Sequence, residues 1–317
     1  MIDVMKNTSW IIIIVVIVLV VLSFIIAMFY AAFSGETGEI KVGGKTADVA
    51  LIKLSGAIMG EKQPGLFATG GSVSPVIVDY LKKAKENTRM KAILLEINSP
   101  GGTVVASKEI AAAVEDAKTK KPVVAWIREV GASGGYWVAS STDFIVADEM
   151  SITGSIGVLG SYVSFSGLME DYNVTYERLV GGQYKDAGSP FKELTEEERK
   201  LLQDRIDIIH EAFIQKVAKD RNIPYENAKA MATGMFYLGK QAKEMGLIDQ
   251  LGSKKEVEQY LKNKLQVEKV SFVEYKRKPT FLDALTQVMS QSFFFLGKGV
   301  SDGMKEINVQ NDYQLYV

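Results

Sequence analysis

The chain of 317 residues has no cysteine and a single histidine, His210. The first absence excludes thiol nucleophiles, disulfides and thiolate metal sites together. The second leaves no paired imidazole for a zinc site, and no metal or other cofactor is expected. An excess of one charge is missing too: 37 Lys and Arg stand against 38 Asp and Glu, a formal net charge of -1. With no basic surface to compete for phosphates, nucleic acid is not an expected partner. No internal repeat or low-complexity tract interrupts the chain.

What the chain does have is one long apolar run. From Trp10 to Phe33 it carries no charged residue. At about 1.5 Å per residue this run forms a helix of about 36 Å, enough to cross a hydrocarbon layer of about 30 Å. Trp10 and Tyr30 fall near its two ends, where amphipathic rings prefer the interface. A cleaved signal peptide, cut after Ala32 or Ser34, is the rival reading, but its apolar region is typically about 7 to 15 residues. The expected organisation is a short amino-terminal segment (1–9), a transmembrane helix (10–33), a Gly-rich polar linker (34–46), a catalytic domain (47–300) and a polar tail (301–317). The lipid bilayer is thus an expected partner. The expected location is the cell membrane, single-pass, with the amino terminus inside and the domain extracytoplasmic.

Beyond the linker, short apolar runs alternate with amphipathic stretches. DVALIKLSGAIM, MKAILLEI, KPVVAWI, DFIVADEM and NVTYERLV read as strands. Residues 103–120 place Val105, Ile110, Ala113 and Val114 at near-helical spacing. Strand, helix, strand implies a parallel βαβ arrangement and an α/β fold. Residues 195–221 give the strongest helix pattern: Thr195 and Glu198 form a capping box, and Leu202, Ile206, Ile209, Phe213 and Val217 make an apolar stripe.

Two Gly-rich turns carry the candidate chemistry. Gly131-Ala132-Ser133-Gly134-Gly135 follows an apolar strand and opens a helical pattern. A nucleophilic serine there would meet the positive end of a helix; alternatively, Ser133 merely caps a tight turn. Asn98-Ser99-Pro100-Gly101-Gly102 likewise ends a strand, and its backbone N–H groups could face one pocket as oxyanion donors. Both turns lie at the carboxyl ends of parallel strands, the edge where open α/β folds collect their sites.

A serine hydroxyl needs a base to take its proton. Ser133, Asp186 and His210 stand in the order of an α/β-hydrolase triad, but His210 falls inside the long amphipathic helix rather than on a loop. Lys185, in the Gly-rich loop after NVTYERLV, is the other base. A free lysine has a pKa near 10.4, and burial by about 3 to 5 units would be needed before it could accept the serine proton.

Taken together, NSPGG (98–102), GASGGY (131–136), TGSIGV (153–158), YKDAGSP (184–190) and GLIDQLG (246–252) resemble the bacterial signal peptide peptidase A (SppA) family. Its members are membrane-anchored Ser/Lys serine peptidases of the Clp protease and crotonase superfamily. The resemblance implies a repeated ββα fold and a homo-oligomeric ring in which one member completes its neighbour's site, with no metal or nucleotide. It implies Ser133 as nucleophile, Lys185 as general base, Ser155 as the residue orienting the lysine, and the backbone of Gly101 and Gly102 as oxyanion hole. The implied substrates are remnant signal peptides and other apolar peptides. One departure is Gly234-Met235-Phe236, where the family usually has an arginine before an aromatic. Beside this reading stand a Ser133/His210 esterase, a non-catalytic oligomeric membrane scaffold and, more distantly, a crotonase-like acyl-CoA enzyme.

Overall fold

The computed structural model describes residues 46–61 and 71–276. The membrane span expected at 10–33 and the polar tail at 301–317 lie outside the described residues. Among the described residues no helix is long and apolar enough to cross a membrane.

Strand β1 (Thr46–Ser55) is followed by the short strands β2 (Ile58–Met59) and β3 (Ser72–Val73), helix α1 (Ser74–Glu86) and strand β4 (Met90–Ser99). Helix α2 (Val104–Lys118), strand β5 (Val123–Ala132), helix α3 (Gly134–Ser140) and strands β6 (Phe144–Ala147) and β7 (Ile152–Gly154) come next. The second half holds α4 (Ser166–Asp171), α5 (Glu196–Arg221), α6 (Tyr225–Met231), β8 (Phe236–Leu238), α7 (Gly239–Glu244), β9 (Gln250–Leu251), α8 (Lys254–Leu265) and β10 (Lys269–Glu274).

The main sheet runs β10-β1-β4-β5-β6-β9, every neighbouring pair parallel. Strand β7 continues it beside the end of β5, and β8 pairs antiparallel to β7. The uninterrupted apolar runs follow from burial on both faces. Ile52, Leu54, Ile93, Leu95 and Ile127 meet Ile77 and Leu81 of α1, Ile110 and Val114 of α2 and Tyr136 of α3. The alternate residues Val49, Leu51, Leu94 and Val124 meet Val257 and Leu261 of α8. Each strand therefore feeds two cores by turns, as the period of two requires.

Helix α5 starts as its capping box dictates: Thr195 Oγ1 accepts the Glu198 N–H at 3.2 Å, and Glu198 Oε2 accepts the Thr195 N–H at 3.1 Å. Its apolar stripe divides. Phe213 and Val217 are buried in the main core, whereas Leu202 is exposed and Ile206 and Ile209 are half-buried. Two expectations need correction. Val105 is 67% exposed, and Ala106 takes the buried place in the first turn of α2. NVTYERLV forms no strand, because no neighbouring strand is there to take its hydrogen bonds. It lies instead within an arm, residues 157–193, that carries a row of exposed apolar side chains, with Leu159 88% and Leu179 96% exposed.

Candidate active site

Parallel pairing sets Ser99 opposite Gly131, and Ala132 opposite Gly154, so the turns after β4, β5 and β7 meet at one rim of the sheet. The contact is close enough to demand glycine. At Gly101, φ is +106°, and an added β-carbon would lie 2.8 Å from both Ser133 Cβ and the Gly134 nitrogen. A side chain there would drive the two turns apart.

Ser133 itself sits at φ 51°, ψ -123°, a conformation strained for any residue with a β-carbon. It stands at the amino-terminal cap of α3, yet its hydroxyl makes no capping bond, so the simple cap reading does not hold. Its backbone is held on both sides. The Ser133 N–H donates to the Gly154 carbonyl and its carbonyl accepts the Trp137 N–H, each at 2.9 Å. The side chain is half-buried beside a cavity of about 180 Å³ lined by Gly102, Val104, Ser107, Trp137, Gly157 and Phe213, among others. Trp137 and Phe213 stack there with ring centroids 4.5 Å apart. The arrangement presents a hydroxyl with no hydrogen-bond partner among the described residues over a recess of mixed polar and apolar lining, as a sharp strand-to-helix elbow does.

The backbone donors need one correction. Gly101 was expected as half of the oxyanion hole, but its N–H donates to Ser99 Oγ at 3.1 Å. Gly101 therefore supplies room and not a donor. The Gly102 N–H has no partner among the described residues, and neither does that of Gly134, the first residue of α3. Both residues line the cavity beside Ser133. Gly134 carried no such role in the sequence reading, although its place directly after the serine was the available signal.

Ser155 follows β7 at φ 50° and is held at two points by the loop before β8, which binds the next residue, Ile156, at a third. Its N–H donates to the Met235 carbonyl and its Oγ to the Gly234 carbonyl, each at 3.1 Å, while the Gly234 N–H donates to the Ile156 carbonyl at 3.1 Å. His210 Nε2 lies 3.3 Å from that same Ile156 carbonyl.

Lys185 lies on the arm, exposed, with no side-chain hydrogen bond or ion pair among the described residues. The burial a neutral amine requires is therefore not supplied by the described part of one chain. Its neighbour Asp186 is engaged: Arg178 donates to both carboxylate oxygens, at 2.7 and 2.9 Å, and Lys192 lies at 3.9 Å. The hydrogen bond from Arg178 holds the Asp186 carboxyl below the usual carboxylate range. Asp186 thus serves the arm rather than His210, and among the described residues no hydrogen bond links His210 to Asp186 or to Ser133. The Ser, Asp, His order in the sequence does not become a triad in space. Among the described residues no cluster of His, Asp and Glu could hold a metal ion.

Residues 115–268 match Peptidase family S49. A candidate protease of Methanocaldococcus jannaschii is 32% identical over 310 residues, covering 96% of this chain and 98% of its own length. A candidate signal peptide peptidase SppA of Enterococcus faecium is 34% identical over 262 residues, 82% of this chain and 76% of its own. Protease 4 of Salmonella typhi is 31% identical over 266 residues, covering 83% of this chain and 42% of that longer protein.

Proposed function

Because this chain belongs to peptidase family S49 and is a serine peptidase of the SppA kind, we propose that it is a membrane-anchored endopeptidase working through Ser133 and Lys185. The observation that carries the reading is the Ser133 elbow, strained, uncapped and open to a recess beside two unpartnered backbone N–H groups. Ser133 Oγ attacks the carbonyl carbon of an extended peptide as Lys185 Nζ takes the hydroxyl proton. The Gly102 and Gly134 N–H groups stabilise the resulting oxyanion. The ammonium returns its proton to the leaving amine, the C–N bond breaks, and an acyl-enzyme remains. A water deprotonated by the same amine then releases the carboxylic acid and restores Ser133.

In a homo-oligomer the exposed arm would be the means by which the lysine leaves water. Leu159, Val163, Tyr172 and Leu179 are all exposed apolar side chains of the arm, and Lys185 shares their segment. A second copy that covers the arm would bury Lys185 against its own Ser133, so that each site in a homo-oligomer uses residues of two chains. Cleaved signal peptides and other apolar peptides are the proposed substrates, since Trp137 and Phe213 stack at one wall of the recess and the segment 10–33 would hold the enzyme at a bilayer.

Intact-mass measurement after exposure to a fluorophosphonate tests the dyad in the full chain. One adduct at Ser133, lost in Lys185→Ala and kept in His210→Ala, is expected; loss only in the histidine variant would overturn the lysine assignment.

A further inference from the structure

The loop carrying Gly234 and Met235 answers a question the dyad leaves open: which way the Ser155 hydroxyl points. A hydroxyl has one proton to donate and two lone pairs to accept with. In Ser155 the proton goes to the Gly234 carbonyl, at 3.1 Å, and the backbone of the same residue is fixed through the Met235 carbonyl. Only the lone pairs of Oγ remain for a neighbour.

The distinction matters to an amine acting as a base. A neutral lysine has two N–H bonds and one lone pair, and that lone pair must face the Ser133 proton. An acceptor beside the lysine engages an N–H and turns the lone pair toward the nucleophile. A hydroxyl free to rotate could instead donate to the lone pair and compete with Ser133 for it.

We propose that Gly234 is a positioning residue whose backbone carbonyl fixes Ser155 as a hydrogen-bond acceptor toward the catalytic amine. This deepens the Ser133/Lys185 reading and rests on it. Two further observations support it. Gly234 adopts φ +83°, yet an added β-carbon would meet nothing within 4 Å, so the glycine answers a backbone requirement and not a packing one. The clamp is also tied to the nucleophile: the Gly154 carbonyl accepts the Ser133 N–H, Gly154 pairs with Phe236, and Ser155 comes next in the chain. His210, near the Ile156 carbonyl from the other side, acts here as a strut.

The test uses the full chain in detergent and an apolar fluorogenic peptide, with Gly234→Ala, Gly234→Asn and Ser155→Ala. Losing the orientation of one hydrogen bond should lower kcat about tenfold in Gly234→Ala, with KM within about twofold of the parent. Gly234→Asn should recover most of the rate, because asparagine tolerates positive φ better than alanine. The double variant Ser155→Ala/Gly234→Ala should be no slower than Ser155→Ala alone, as expected for two residues acting through one contact. An equal further loss in the double variant, a change confined to KM, or no rescue by asparagine would each overturn the proposal. If Gly234→Ala does not fold by its melting curve, the asparagine variant and the double cycle built on it decide. A parent protein that neither cleaves the peptide nor labels at Ser133 would sink the underlying peptidase reading itself, a result distinct from all of these.

Discussion

The backbone N–H of Ser133 donates to the carbonyl of Gly154 at 2.9 Å. One peptide unit thus joins the proposed nucleophile to the residue that precedes Ser155, and the geometry of the rim depends on contacts between turns as well as within them. A change in one turn should be felt in the others.

Gly101→Ala is the sharpest probe of that dependence. The left-handed backbone alone costs an alanine about 1–2 kcal/mol, and its β-carbon would press on Ser133 Cβ and the Gly134 nitrogen. The melting temperature should fall. Labelling of Ser133 should slow by about 10² or more, since the proposed oxyanion donors would be displaced along with the elbow.

If the site is shared between copies, two inactive proteins should repair each other. Mixing Ser133→Ala with Lys185→Ala under conditions that allow subunits to exchange should restore peptide cleavage, read by fluorescence. Continued inactivity of a mixture that mass measurement shows to be hetero-oligomeric would place both groups in one chain.

The arm makes a separate prediction. Leu179→Asp and Leu159→Asp place charge on side chains that are 96% and 88% exposed in the single chain, so neither should alter its folding. Both should lower the assembly state in sedimentation and reduce cleavage in parallel. An unchanged sedimentation coefficient with full activity would remove the arm from the interface.

Asp186 gives a pH prediction with a definite sign. The Arg178 hydrogen bond depresses its carboxyl in the folded chain, so the contribution of the pair is present above the unfolded aspartate value of about 4 and fades as pH falls through the folded one. The arm should therefore become sensitive to limited proteolysis in acid, first around residues 178–192. Arg178→Gln should show that sensitivity already at neutral pH, and Asp186→Asn should remove the pH step.

Much of the frame was legible in the sequence because burial on two faces leaves uninterrupted apolar runs, as in β1, β4 and β5. Thr195 and Glu198 marked the start of α5 by a reciprocal pair of side-chain bonds that few residue types can make. The two glycine turns were visible too, and their adjacency followed from parallel order. Other features left no such imprint. NVTYERLV has the composition of a strand, and what it lacks is a neighbour to pair with, which no local pattern records. The expenditure of the Gly101 N–H on Ser99 Oγ was hidden because it depends on a turn's shape. The clamp on Ser155 was hidden more deeply, since carbonyls of Gly234 and Met235 do the holding and every residue type has a carbonyl.

The order of strands also bears on safety. The three turns of the rim belong to β4, β5 and β7, and the Gly102 N–H stands next to the serine only once β4 and β5 are docked side by side. On the proposed reading, a chain in which β4 and β5 are not yet paired has its serine without the Gly102 donor, so the peptide-cleaving site is completed only as the sheet closes.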